Sequence, residues 1–177
     1  MILTKNLTAK NIAVTAVAFV AALFSILSLV FSAVTATAKL WGETMTEGIS
    51  GFKWLFGDET GSGWDQSVFS AILCLLVFLA AIAIIALFVA SIVLAKDVAT
   101  YRKGMRLVTF ANCISAVVYL IAGIVAAASY SEFSNDYITY GTAAFVPLII
   151  AVVLVAGYIV CDKMIPEAPA AEASTEE

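Results

Sequence analysis

Four stretches of this chain carry no charged side chain and are each long enough to cross a lipid bilayer. They run Asn11–Val34, Ser67–Ala95, Leu107–Tyr130 and Gly141–Cys161, with 24, 29, 24 and 21 residues. A spanning helix needs about 20 such residues, because the hydrocarbon core is ~30 Å thick and a helix rises ~1.5 Å per residue. Lipid offers the backbone no hydrogen-bond partner, so each run is predicted to be helical. The second would be ~44 Å long, and it should tilt or project into the headgroups. The expected fold class is therefore an all-α membrane protein, a bundle of four transmembrane helices. Composition agrees. Hydrophobic residues make up 63% of the chain and charged residues 12%, against about 25% charged in a soluble domain. A water-soluble fold of this size could not hide so much apolar surface.

The connecting segments are a tail at 1–10, a long loop at 35–66, a basic loop at 96–106, a short loop at 131–140 and an acidic tail at 162–177. Lysine and arginine set the orientation. Lys5, Lys10, Lys96, Arg102, Lys103, Arg106 and Lys163 lie on one side, and only Lys39 and Lys53 on the other. This bias predicts cytoplasmic termini, with the loops at 35–66 and 131–140 facing outward, in a plasma or inner membrane. Lys5, Lys10 and Ala36-Thr37-Ala38 give the first run the outline of a secretory signal. Its apolar stretch is longer than the 7–15 residues of a signal core, so it reads as an uncleaved span. The last segment combines prolines, small residues and acids, a composition that predicts disorder.

Helices in lipid associate through small residues and hydrogen bonds. At 100° per residue, Ala18, Ala21, Ala22, Ser25, Ser28 and Ser32 share one face of the first run, opposite Phe19, Leu23, Leu27 and Val30. In the third run Asn112, Ser115, Tyr119, Ala122, Gly123 and Ala126 oppose Ile114, Val117, Ile121 and Ile124. The second run offers Ala83, Ala86 and Ala90 on a stripe. These faces predict packing contacts, with Ser25, Ser28, Ser32, Asn112, Ser115, Tyr119 and Gly123 as the central residues. For Asn112 and Tyr119 the competing reading is a ligand contact. Pro147 predicts a late start or a kink in the fourth helix.

The loop at 35–66 holds all three tryptophans, Trp41, Trp54 and Trp64, together with Phe52, Phe56 and six glycines. Three readings are open for it. One is a segment lying at the membrane interface, where tryptophan concentrates. Another is a small β-hairpin capping the bundle, with glycines at its turns. The third, compatible with both, is a partner-binding surface. The acidic stretch Asp58–Asp65 lacks the spacing of a calcium loop. A long first outer loop, a short second one, four spans and internal termini resemble the claudin-type tetraspans. Gly51-Phe52-Lys53-Trp54 is a loose counterpart of that family's Gly-Leu-Trp, and the family's two loop cysteines are missing. The resemblance is one of topology, and it implies an adhesion or barrier role.

The chain has no histidine, which removes the commonest general base and metal ligand. No charged residue lies within a span, which argues against a pump or a proton-coupled carrier. No phosphate-binding or nucleophile motif is present, and no basic patch suits nucleic acid. The three cysteines, Cys74, Cys113 and Cys161, fall within or at the edge of spans, and Cys161 is placed where a lipid could be attached. The expectation is a non-enzymatic structural or accessory membrane protein. It needs no cofactor or metal, and its partners are the bilayer and either further copies or another membrane protein. The alternatives are a channel or transporter for a neutral or small polar solute, lined by Ser25, Ser28, Ser32 and Asn112, and the claudin-like role. An enzyme using Glu43, Glu47, Asp58 or Asp65 lacks any geometry suited to acid–base work.

Overall fold

The computed structural model describes residues 8–40, 42–57, 67–134 and 136–166. It contains four helices long and apolar enough to cross a membrane, the arrangement of an integral membrane protein. These are α1 (Ala9–Leu27), continued by a 3₁₀ turn at Ser28–Val30, then α3 (Val68–Val93), α4 (Val98–Ser129) and α5 (Phe145–Met164). A short helix, α2 (Gly51–Phe56), lies between α1 and α3. Three strands complete the fold: β1 (Ser32–Leu40), β2 (Glu43–Ser50) and β3 (Ile138–Gly141).

Side chains start most of these helices. Thr8 accepts the Asn11 amide at the head of α1, and Ser50 accepts that of Lys53 for α2. Ser67 caps α3 through the Ser70 amide, and Asp97 caps α4 through that of Thr100 at 2.7 Å. Each satisfies one amide that the helix itself leaves unpaired. α5 has no such cap. Instead Pro147 is its third residue, where a missing N–H costs nothing. The helix starts late at Phe145 rather than at Gly141.

The expected pure four-helix bundle needs correction, because a three-stranded antiparallel sheet of order β2-β1-β3 is added at one end. The first charge-free run is helical only as far as Val30, and from Ser32 it becomes β1. Hydropathy cannot separate the two states in a neutral, small-residue segment. The β-branched Val34, Thr35 and Thr37 favour the strand once partners exist. Ser32 therefore belongs to the sheet and not to a helix face. The segment 96–106 also departs from a loop. α4 begins at Val98, so most of the basic residues stand on its first turns. Charge limits where lipid can surround a helix, not where the helix can form. At ~1.5 Å per residue the 32 residues of α4 reach ~48 Å, well past a ~30 Å core.

α4 packs against α1, α3 and α5 and also touches β1 and β3. Two apolar clusters result. One, at the sheet end, gathers Leu29, Trp54, Leu55, Cys74, Val77, Tyr119 and Ala122. The other, at the basic end, gathers Val14, Ala18, Ile84, Tyr101, Met105, Val108 and Tyr158. On α3 the buried residues include Cys74, Val77, Ala81 and Ile84, spaced three or four apart. Ala83 and Ala86 are exposed, so the Ala83–Ala86–Ala90 stripe is not the face of α3 turned to the core.

Candidate functional site

The sheet end is the most distinctive surface of the molecule. β1 and β2 form a hairpin in which Leu40 pairs with Glu43. Gly42, at the turn, has φ +84°, a left-handed conformation that glycine adopts without steric cost. A register shift between Ser32 and Val34 leaves Ala33 as a bulge, and such an insertion bends its strand. The bend sets β1 against α4 where Gly123 lies. A Cβ on Gly123 would sit 2.9 Å from the Ala33 carbonyl oxygen and 2.9 Å from the Ala144 Cβ. Gly123 thus serves the approach of backbone to helix.

The hairpin is fixed to the helices by shared hydrogen bonds. The Phe31 carbonyl accepts both the Gly51 amide and the Tyr119 hydroxyl. The Ser32 carbonyl accepts the Ala143 amide, and the Lys39 amide donates to the Tyr137 carbonyl. Both connecting loops are therefore tied to one strand. Trp54 on α2 is fully buried beneath this assembly and meets Tyr130 edge-on at 6.1 Å. Tyr130 in turn stacks on Tyr140 at 5.2 Å. Burial, helped by Tyr140, raises the Tyr130 pKa above its ordinary value. Phe52 and Phe56 stack on each other, and both meet Phe78 of α3 edge-on. Phe56 remains 67% exposed.

The five aromatic residues singled out in the sequence thus divide. Trp54 is core, Phe52 is half-buried and Phe56 is exposed. Trp41 and Trp64 lie outside the described residues, as does the acidic stretch from Asp58 to Asp65. β2 is exposed from Glu43 to Gly48, with Met45 at 62%. Its outer edge has no neighbouring strand among the described residues.

Within the spans, Ser25 and Ser28 are buried and donate to the Ala22 and Ser25 carbonyls of their own helix. Tyr119 is buried at the sheet anchor. Asn112 and Ser115 are buried on α4, and the Asn112 Nδ2 and Ser115 Oγ have no partner among the described residues. The Trp54 Nε1 shares that condition. Cys74, Cys113 and Cys161 are free thiols.

Sequence reasoning missed a polar clamp at the other end. The Arg102 Nε donates to Asn11 Oδ1 at 2.8 Å, and the Tyr158 hydroxyl donates to the Arg102 carbonyl at 2.8 Å. Thr15 and Tyr101 bond through their hydroxyls, and Lys10 pairs with Asp162 at 3.7 Å. These contacts join α1, α4 and α5. The available signal was the Asn11/Thr15 pair, one helical turn apart. Among the described residues no group of three or more histidines, cysteines and acids could hold a metal. The hydroxyls of Ser25, Ser28 and Tyr119 are engaged with backbone carbonyls, which suits packing. No family model, curated protein or solved structure matches the chain.

Proposed function

We propose that this protein is a non-enzymatic structural or accessory component of a membrane. Its sheet-capped end is a rigid platform on which another membrane protein, or a further copy of this chain, docks. The observation that carries the reading is the contrast within the hairpin. Its inner side is held against α4 at Tyr119 and Gly123, while β2 is exposed and, among the described residues, open along its outer edge. An open edge offers unpaired backbone groups, and proteins that keep one blunt it with charge. Glu43 and Glu47 on β2 fit that role and bias the choice of partner. The excess of lysine and arginine at the end opposite the sheet supports cytoplasmic termini and an outward-facing platform. The reading places the protein in a plasma or inner membrane. The claudin-like adhesion role is the version of this reading in which the partner sits in a facing membrane.

Photo-crosslinkers placed singly at Thr44, Met45 and Thr46 test the platform in native membranes. Each should give a discrete protein adduct, while one at Ile159 on α5 should not. Absence of adducts at all three β2 positions sinks the reading.

A second reading, a path for a neutral solute, draws on the unpartnered Asn112 and Ser115 groups. The self-bonded Ser25 and Ser28 hydroxyls favour packing over it. Flux of urea and glycerol into proteoliposomes decides, and rates equal to those of protein-free vesicles remove it.

A further inference from the structure

The α3–α4 seam is open along one side. A groove of about 470 Å³ runs along it, floored by Ala80, Ala83 and Ala111 and reaching Ser115. A second hollow of about 270 Å³ continues it toward the basic end, and Leu87 borders both. α3 and α4 approach closely beside this continuation, since a Cβ on Gly104 would run into the Ser91 side chain. Lys103 stands at its mouth.

From Lys103 to Ser115 is 12 residues of α4, or ~18 Å at ~1.5 Å per residue. One leaflet of a ~30 Å core spans ~15 Å. The groove therefore runs from headgroup level to about the middle of the bilayer, the reach of one extended acyl chain. Along the first hollow its wall is apolar except for Ser115, and its only charged lining residue among those described is Lys103.

Three other cations of this end are already engaged. Lys10 pairs with Asp162, Arg102 with Asn11, and the Arg106 guanidinium sits 5.4 Å over the Phe110 ring. Lys103 is exposed and has no carboxylate partner among the described residues. Lys96 lies in the connection just before α4.

We propose that the α3–α4 seam binds one anionic glycerophospholipid, with its phosphate on the Lys103 ammonium and an acyl chain along the alanine-floored groove. Charge complementarity selects this occupant. A second copy placed in the same seam by a two-fold axis along the membrane normal would bring both sets of Lys96 and Lys103 to the same level, where like charges repel. A lone lysine on a flexible stem suits a phosphate at the membrane surface. The site does not depend on the docking role of the sheet end.

Native mass spectrometry of the full chain in mild detergent tests the proposal, with phosphatidylglycerol and phosphatidylcholine of identical acyl chains as probes. The protein should retain one lipid and favour phosphatidylglycerol by about five-fold, the effect of a single lysine beside an anionic headgroup. K103Q should bring the two lipids close to equal binding, and K163Q, remote from the seam on α5, should leave the preference intact. A83L fills the groove and should lower binding of both lipids. Free glycerol phosphate should not compete at lipid-like concentrations. Equal binding of the two lipids by the native chain overturns the proposal, as does a K163Q effect equal to that of K103Q. Competition by free glycerol phosphate, which would mark a bare anion site, also overturns it. So does disulfide trapping of two chains through A83C, which would identify a second copy in the seam.

Discussion

Gly123 shows how one missing side chain sets the distance between sheet and bundle. With the Ala33 carbonyl oxygen and the Ala144 Cβ both 2.9 Å from a would-be Cβ, an alanine has nowhere to go without moving backbone. Gly123→Ala should destabilise the fold by about 1–3 kcal/mol, the usual range for overpacking. Gly157 on α5 provides the control, since a Cβ there meets no atom within 4 Å. Gly157→Ala should be neutral or stabilising by up to ~1 kcal/mol, because alanine is the better helix former. Unfolding in mixed micelles measures both, and equal effects would mean that the close approach carries no strain.

Asp97 gives a pH-dependent counterpart. The Thr100 amide, and then the Thr100 hydroxyl, hold its carboxyl below its ordinary value of 3.8. A carboxylate whose pKa is lower in the folded than in the unfolded state stabilises fully above the unfolded value and loses that contribution as pH falls through the folded one. Thermal stability in detergent should therefore drop in the native chain over the pH window below the ordinary value of 3.8. Asp97→Asn keeps an N-cap acceptor but cannot titrate, so its own decline over that window should be shallower. Parallel pH curves for the two proteins would assign the acid sensitivity elsewhere.

The register of the β1–β2 hairpin is open to direct test. Thr37 pairs with Thr46, their Oγ1 atoms 3.2 Å apart, and Thr37 also faces Thr139 on β3. Cysteines at 37 and 46 should form an intramolecular disulfide under mild oxidation. Cysteines at 37 and 47 should not, because a shift of one residue turns the second side chain to the other face of the sheet. A mass shift on alkylation reads the result, and the three native thiols lie within helices as a constant background. Crosslinking of the second pair in preference to the first would mean a slipped register.

On the whole-molecule scale, an even number of spans places both ends of the chain on one side. Reporter fusions at each end should register the same compartment, and the lysine and arginine bias predicts that it is the cytoplasm. Opposite compartments would undo the topology. The four spans were legible in the sequence because a charge-free run of sufficient length has few stable alternatives in oil. The small-residue face of α1 and the Asn112-to-Ala126 face of α4 could be read from helical spacing alone. The sheet was legible only in part, as the hairpin reading of the loop at 35–66; its start at Ser32 and its third strand were not. β1 occupies the tail of the first apolar run, and its strand state depends on β2 and β3, which lie far apart in sequence. Trp54 was equally opaque, since tryptophan suits an interface as well as a core and only the packing of α2 against α3 decides. The Ala83 stripe misled because small residues line grooves as readily as contacts. The first turns of α4 were hidden because charge marks the end of the lipid and not of the helix.

One helix, α4, carries the attachments of both ends. Tyr101 and Arg102 hold the basic clamp, and Tyr119 and Gly123, about five turns on, hold the sheet. An axle keyed at both wheels cannot spin at one without the other. Rotating α4 to loosen the platform would also withdraw its side chains from α1 and α5 across the bilayer. A load on the hairpin is therefore felt on the far side of the membrane, through a single rod of backbone.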